Sequence, residues 1–156
     1  MPTPAQYINR IEFVNRVIKM RIDGLSHEDS MKQLSFPANC MNWNIGHIVV
    51  FRDVYLGAID GVTKPDPAEY AIYGAGSPPL TDSANAVHLD TLIEKLDEST
   101  ERAKKIFQAM PAEQLDEPYD WFAEPKRLDD YLHFYVVVHE AIHLGQLEIL
   151  RELALA

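Results

Sequence analysis

The sequence predicts an all-α fold: a four-helix bundle with a long crossover between helices two and three. Three observations predict it. Four segments place apolar residues at helical spacing, and no segment sustains two-residue alternation between turn signals. The stretch between the second and third segments holds too much proline and glycine to continue a helix. Yet it is long enough to run the length of a bundle.

The first helix is announced by Thr3-Pro4-Ala5-Gln6, a capping box with proline at the first helical position. Tyr7, Ile8, Ile11, Val14, Ile18 and Ile22 form its apolar face, and Gly24 is a fitting stop. From Ser26 to Pro37 the chain is polar and broken, with room for a helical turn. A second helix is expected after Asn39, a good N-cap, with Ile45, Ile48, Val49 and Val54 along it as far as Gly61. Residues 61–80 contain four prolines and three glycines. A connection of that length can join two helices that run in the same direction. The third helix reads from about Asp82 to Met110, with Leu89, Leu92, Leu96, Ala103, Phe107 and Met110 on one face. A second irregular stretch, Pro111 to Pro125, carries Tyr119, Trp121 and Phe122. The fourth helix is expected to run unbroken from about Leu128 to the end, with Asp129 and Asp130 at its positive N-terminal end.

The 156 residues suit one domain, 1–156, able to bury roughly two-thirds of the surface that its unfolded form exposes. Hydrophobic residues make up 47% and charged residues 24%, a globular balance. The net charge of −10 argues against nucleic acid and anionic membrane surfaces, both of which require a basic face. Met1-Pro2-Thr3-Pro4 lacks the basic start and apolar run of a secretory signal, and no stretch approaches the ~20 apolar residues of a membrane span. A single cysteine, Cys40, cannot form an internal disulfide, so a cytoplasmic location is expected.

The chemistry is concentrated in His139-Glu140-Ala141-Ile142-His143-Leu144-Gly145-Gln146. Four residues advance a helix by about 400°, leaving the two imidazoles about 40° apart and able to chelate one ion. Leu132, Tyr135, Val136, Ile142, Gln146 and Leu150 share their stripe, so both histidines are expected to face the core. Two buried imidazoles at chelating spacing need a strong partner to offset their desolvation. The pattern His-Glu-x-x-His is also that of zinc proteases, whose glutamate is a general base. Here the extended form of that motif fails, because Gln146 and Ile149 stand where glycine and histidine are required. The other form takes a ligand from a later helix, and only 13 residues follow His143. A third ligand must therefore lie upstream. His47 in Asn42-Trp43-Asn44-Ile45-Gly46-His47-Ile48, among apolar neighbours on the second helix, is the best candidate. His133 points about 120° away from His139, and His27 and His88 belong to polar surroundings. Three neutral imidazoles leave a coordination position open, as catalytic sites require.

These two blocks, with the order of four helices and the long second connection, resemble the DinB/YfiT-like metalloenzyme family. The resemblance implies a four-helix bundle with a divalent metal on three histidines, matching His47, His139 and His143. It also implies a homodimer, and a small-molecule substrate such as a low-molecular-weight thiol transferred to an electrophile. Zinc, nickel and iron all suit imidazole ligands. A hydrolase using metal-activated water, or a non-catalytic metal-binding bundle, would use the same three ligands. Gln146 stands on the ligand side and could hold a second imidazole nitrogen or a metal-bound water. Gly145 would permit close helix approach or is merely tolerated. Glu140, about 100° from His139, faces a neighbour or solvent. Cys40, two turns before His47, reads as a core thiol and Trp43 as a core anchor. Tyr70, Tyr73, Trp121 and Phe122 could roof a pocket.

Overall fold

The computed structural model describes residues 2–62, 66–119 and 126–156. Helix α1 (Pro4–Ile22) opens on the expected capping box: the Thr3 hydroxyl accepts the Gln6 N–H, and Gln6 Oε1 accepts the Thr3 N–H. It buries Tyr7, Ile11, Val14, Ile18 and Ile22, and Gly24 turns the chain away at a φ of 76°. A single turn, α2 (His27–Ser30), follows.

Helix α3 (Met41–Asp60) has Cys40 as its N-cap, not Asn39, and Cys40 makes no side-chain cap bond. Its sulfur is drawn into the core instead, 3.6 Å from the Leu80 carbonyl oxygen. Gly61 closes the helix in a left-handed conformation. The long connection contains a short helix, α4 (Pro67–Tyr73), capped by Asp66 with Pro67 in the first turn. Helix α5 (Leu89–Ala109) starts later than expected, with His88 as N-cap. Asp82 caps only a 3-10 turn (Ser83–Asn85). Beyond that turn the Val87 N–H donates to the Tyr73 hydroxyl and the Val87 carbonyl accepts from Asn42 Nδ2, which holds the segment out of helix.

The last helix departs most from expectation. It begins as α6 (Leu128–Leu132), widens to a π-helix over His133–His139, and continues as α7 (Glu140–Leu155). The widened stretch reads His-Phe-Tyr-Val-Val-Val-His, residues with weak α preference, so little local energy opposes the change. A two-residue antiparallel pair, β1 (Pro118–Tyr119) with β2 (Lys126–Arg127), precedes it where no strand was expected.

Helix directions follow from the pairs that meet. Tyr7 stacks on Phe107 and Asn15 bonds Asp97, so α1 and α5 run antiparallel. Asn42 reaches Val87, Arg52 reaches Thr100 and Asp60 reaches Arg102, so α3 and α5 run parallel. Asn44 meets His143 and Tyr55 meets Tyr135, so α3 and the last helix run antiparallel. The long connection therefore does join parallel helices, as its length allowed. Each of α1 and α3 packs against both α5 and α7.

One end of the core is built from Tyr7, Leu56, Ala103, Phe107, Leu132 and Val136; the other from Ile18, Ile45, Ile48, Leu92, Leu96 and Leu147. Each Leu, Ile, Val or Phe among them contributes roughly 1.5–3 kcal/mol by leaving water. Along α7 the buried stripe is Glu140, His143, Leu147, Leu150 and Ala154. Ile142 is 55% exposed and Gln146 is exposed, contrary to the expected stripe. The stripe that follows the π segment is rotated by about one residue, with Glu140 on its buried side. Among the described residues no helix is long and apolar enough to cross a membrane.

Candidate metal centre

The seam between α3 and the last helix gathers His47, His139 and His143, with one ring nitrogen of each within 4.8 Å of the others. His47 Nε2 lies 3.0 Å from His139 Nε2, which lies 3.3 Å from His143 Nε2. His47 and His143 are buried, and His139 is half-buried at the edge of the seam.

The outward nitrogens settle where the protons are. His47 Nδ1 is 2.6 Å from the Tyr73 carbonyl oxygen, which can only accept, so Nδ1 carries the hydrogen. His143 Nδ1 is 2.8 Å from Asn44 Oδ1 and 2.8 Å from Gln146 Oε1. Asn44 cannot present its amino group instead, because Nδ2 donates to the carbonyls of Cys40 and Asn39. Both rings thus turn an unprotonated Nε2 inward.

Protonation does not relieve the crowding. Burial lowers the His47 pKa to about 4 against the opposing pull of the Tyr73 carbonyl, with His143 lowering it further. Burial, then His143 and His47, lowers that of His139 to about 3. Burial also lowers His143, opposed by the Gln146 bond. With those two nitrogens as acceptors, His139 Nε2 carries the hydrogen shared with them in the metal-free protein, and moving it to Nδ1 turns a third lone pair inward. Three imidazoles so placed fit a divalent cation, and the carbonyl and amide partners hold two of the rings as outer groups hold metal-bound imidazoles.

Aromatic rings wall the cluster. Trp43 stacks on His47 with centroids 4.4 Å apart. Its indole N–H donates to the Ile72 carbonyl and Ser77 Oγ, binding α3 to the connection. Phe51 lies 4.5 Å from His47 and 5.1 Å from His139, and Tyr135 and Phe134 flank His139.

The remaining candidates sort as follows. Glu140 is 1% exposed and forks onto Arg52, so it meets a neighbour and not solvent. Gln146 reaches His143 although its side chain is exposed. Gly145 is not a close-approach point, since a Cβ there meets nothing within 4 Å. The tight glycine is Gly46, whose Cβ would sit 2.4 Å from the Tyr73 ring. Cys40 is a core thiol, and burial raises its pKa. Tyr73 lies beneath the site and Tyr70 is 42% exposed, while Trp121 and Phe122 fall outside the described residues. His133 is exposed, and His27 stacks on His88 away from the cluster. Sequence reasoning missed Asn44, Phe51 and Arg52. Arg52 alone carried a signal, being a lone cation within a largely apolar helix.

A sequence profile of the DinB superfamily matches residues 10–147. The chain belongs to the DinB superfamily. This DinB-superfamily chain also resembles two solved structures. One is a conserved protein from Enterococcus faecalis: TM-score 0.76, 14% identity, covering 99% of this chain and 98% of that one. The other is a Streptococcus pneumoniae protein: TM-score 0.74, 13% identity, covering 97% and 92%. At such identities the likeness shows the shared fold. A comparison with functionally curated proteins gave no match.

Proposed function

We propose that this DinB-superfamily protein holds a divalent transition metal ion, zinc, nickel or iron, on His47, His139 and His143 and uses it to activate a small thiol for attack on an electrophile. The observation that carries the reading is the convergence of three imidazole Nε2 atoms, two of them on rings whose outer nitrogens donate to fixed acceptors. A bound ion supplies Lewis acidity that makes a small thiol or a water molecule acidic near neutral pH. The protein's part is positional. The Tyr73 carbonyl and the Asn44 amide orient two rings, while Trp43 and Phe51 exclude water from them. His139, half-buried, marks the side from which a small molecule enters. His47, His139 and His143 are all neutral ligands, with pKa values lowered chiefly by burial. Three neutral ligands therefore leave the ion's charge uncompensated and favour an anionic fourth ligand such as a thiolate.

Elemental analysis of protein purified without an affinity tag should find close to one ion per chain. With cobalt substituted, titration with low-molecular-weight thiols should produce a sulfur-to-metal charge-transfer band. The same thiol should react faster with an electrophile in the presence of the metallated protein, and His139→Ala should abolish the gain. Metal uptake without either effect would replace this reading with hydrolysis or plain metal binding.

A further inference from the structure

We infer that the buried Arg52–Glu140 ion pair is a positioning device, which locks the junction between the π segment and α7 and so holds His139 against His47. The pair is bidentate, with Arg52 Nε and one terminal nitrogen each 2.9 Å from a Glu140 carboxylate oxygen. The two side chains are 0% and 2% exposed. The other terminal nitrogen donates to Thr100 Oγ1 at 2.9 Å and Ser99 Oγ at 3.4 Å, hydroxyls that themselves donate to the Leu96 carbonyl. The fork is thereby fixed from α5 as well as from α3.

Its placement relates it to the histidines. Arg52 follows His47 by five residues on α3, and Glu140 follows His139 directly. The Glu140 N–H donates to the Tyr135 carbonyl, five residues back. The residue whose backbone ends the π hydrogen-bond pattern is thus the one whose side chain Arg52 grips. A π-to-α junction can migrate by one residue at little local cost, and α geometry turns about 100° per residue. Such a shift would swing His139 away from the cluster. The weak α formers from Phe134 to Val138 do not oppose that shift, and the hydrogen bonds of His139 Nε2 to His47 and His143 oppose it by little more than the worth of one such bond.

Stability does not explain the pair. Desolvating two charges offsets most of their attraction, and apolar replacement of a whole buried pair is often neutral or stabilising. A fixed register is what a directional, bidentate contact adds and an apolar contact does not. The consequence for metal affinity rests on the three-histidine centre proposed above; the geometric claim does not.

Two variants test it: Arg52→Met/Glu140→Leu, which removes the whole pair, and Arg52→Lys, which keeps the charge but loses the fork. Three quantities are measured: the melting temperature of metal-free protein, cobalt affinity with its ligand-field spectrum, and the nuclear Overhauser contact between the His47 and His139 rings without metal. The double variant should melt no lower than wild type, yet lose the ring contact and bind cobalt about tenfold or more weakly with an altered spectrum. A folded double variant with wild-type ring contact and affinity overturns the inference. Should it not fold, Arg52→Lys decides: a weakened ring contact supports the inference, and an unchanged one overturns it. Wild-type protein that takes up no cobalt refutes the metal centre, while the metal-free ring contact still judges the ion pair.

Discussion

His47 and His143 each give one ring hydrogen outward, and that exchange leaves their inner nitrogens fit for a cation. On the proposed reading, His47→Ala, His139→Ala and His143→Ala should each weaken metal binding by on the order of 100-fold or more. His133→Ala, on the exposed side of the π segment, should leave it unchanged. Competitive titration against a chromogenic chelator measures all four, and an essential His133 would refute the ligand set. Gly46 offers a second test at this scale. An added Cβ would drive into the Tyr73 ring at 2.4 Å, and the same residue supplies the carbonyl that orients His47. Gly46→Ala should cost about 1–3 kcal/mol in denaturant unfolding and weaken metal binding as well. Unchanged stability would mean that the ring moves aside freely.

Among the elements, the long connection does more than join two parallel helices. Its short helix α4 sets the Tyr73 carbonyl behind His47, and the Tyr73 hydroxyl donates to Asn42 Oδ1 while accepting the Val87 N–H. The two roles are separable because one uses the backbone and the other the side chain. Tyr73→Phe leaves the Val87 N–H unpaired and should cost about 1–3 kcal/mol of stability. Metal affinity should stay close to wild type, since the carbonyl remains. Calorimetric melting paired with chelator titration checks both halves; a large loss of affinity would show that the hydroxyl, not the backbone, holds α4 in place.

For the whole molecule, a metal held by His47 on α3 and by His139 and His143 on the last helix would cross-link two parts of the bundle. At about 100-fold excess over its Kd, a metal should raise the melting temperature by roughly 5–10 °C, and a chelator should remove the gain. Acid should act on the metal-free protein through the same residues. The pKa values of His47 and His139 are held down to about 4 and about 3, against 6.5 ordinarily. Between 6.5 and those values the unfolded chain binds protons that the folded chain does not, so acid favours unfolding. Stability should be full above about pH 6.5 and fall as the pH drops towards 5, before ordinary carboxylates titrate. Urea midpoints at a series of pH values measure this, and a midpoint flat from pH 7 to 5 would contradict it.

Local sequence carried what depends on periodicity and near-neighbour chemistry. Apolar spacing determined four long helices, the Thr3 capping box determined where the first begins, and the i, i+4 spacing of His139 and His143 determined their shared face. The failure of the protease motif, with the apolar setting of His47, pointed to the third ring. Contacts between distant segments decided the rest. Asp82 is as good an N-cap as any here, but Tyr73 and Asn42 take up the backbone groups of Val87, and α5 starts only at Leu89. The π segment combines weak α formers with an end residue, Glu140, whose buried partner Arg52 stands 88 positions away. Orientation of the imidazoles by Asn44, the Tyr73 carbonyl and Gln146 likewise needs packed helices. Helix formation is a matter of a few adjacent residues, whereas the direction of a ring nitrogen is set by whichever acceptor the fold brings to it.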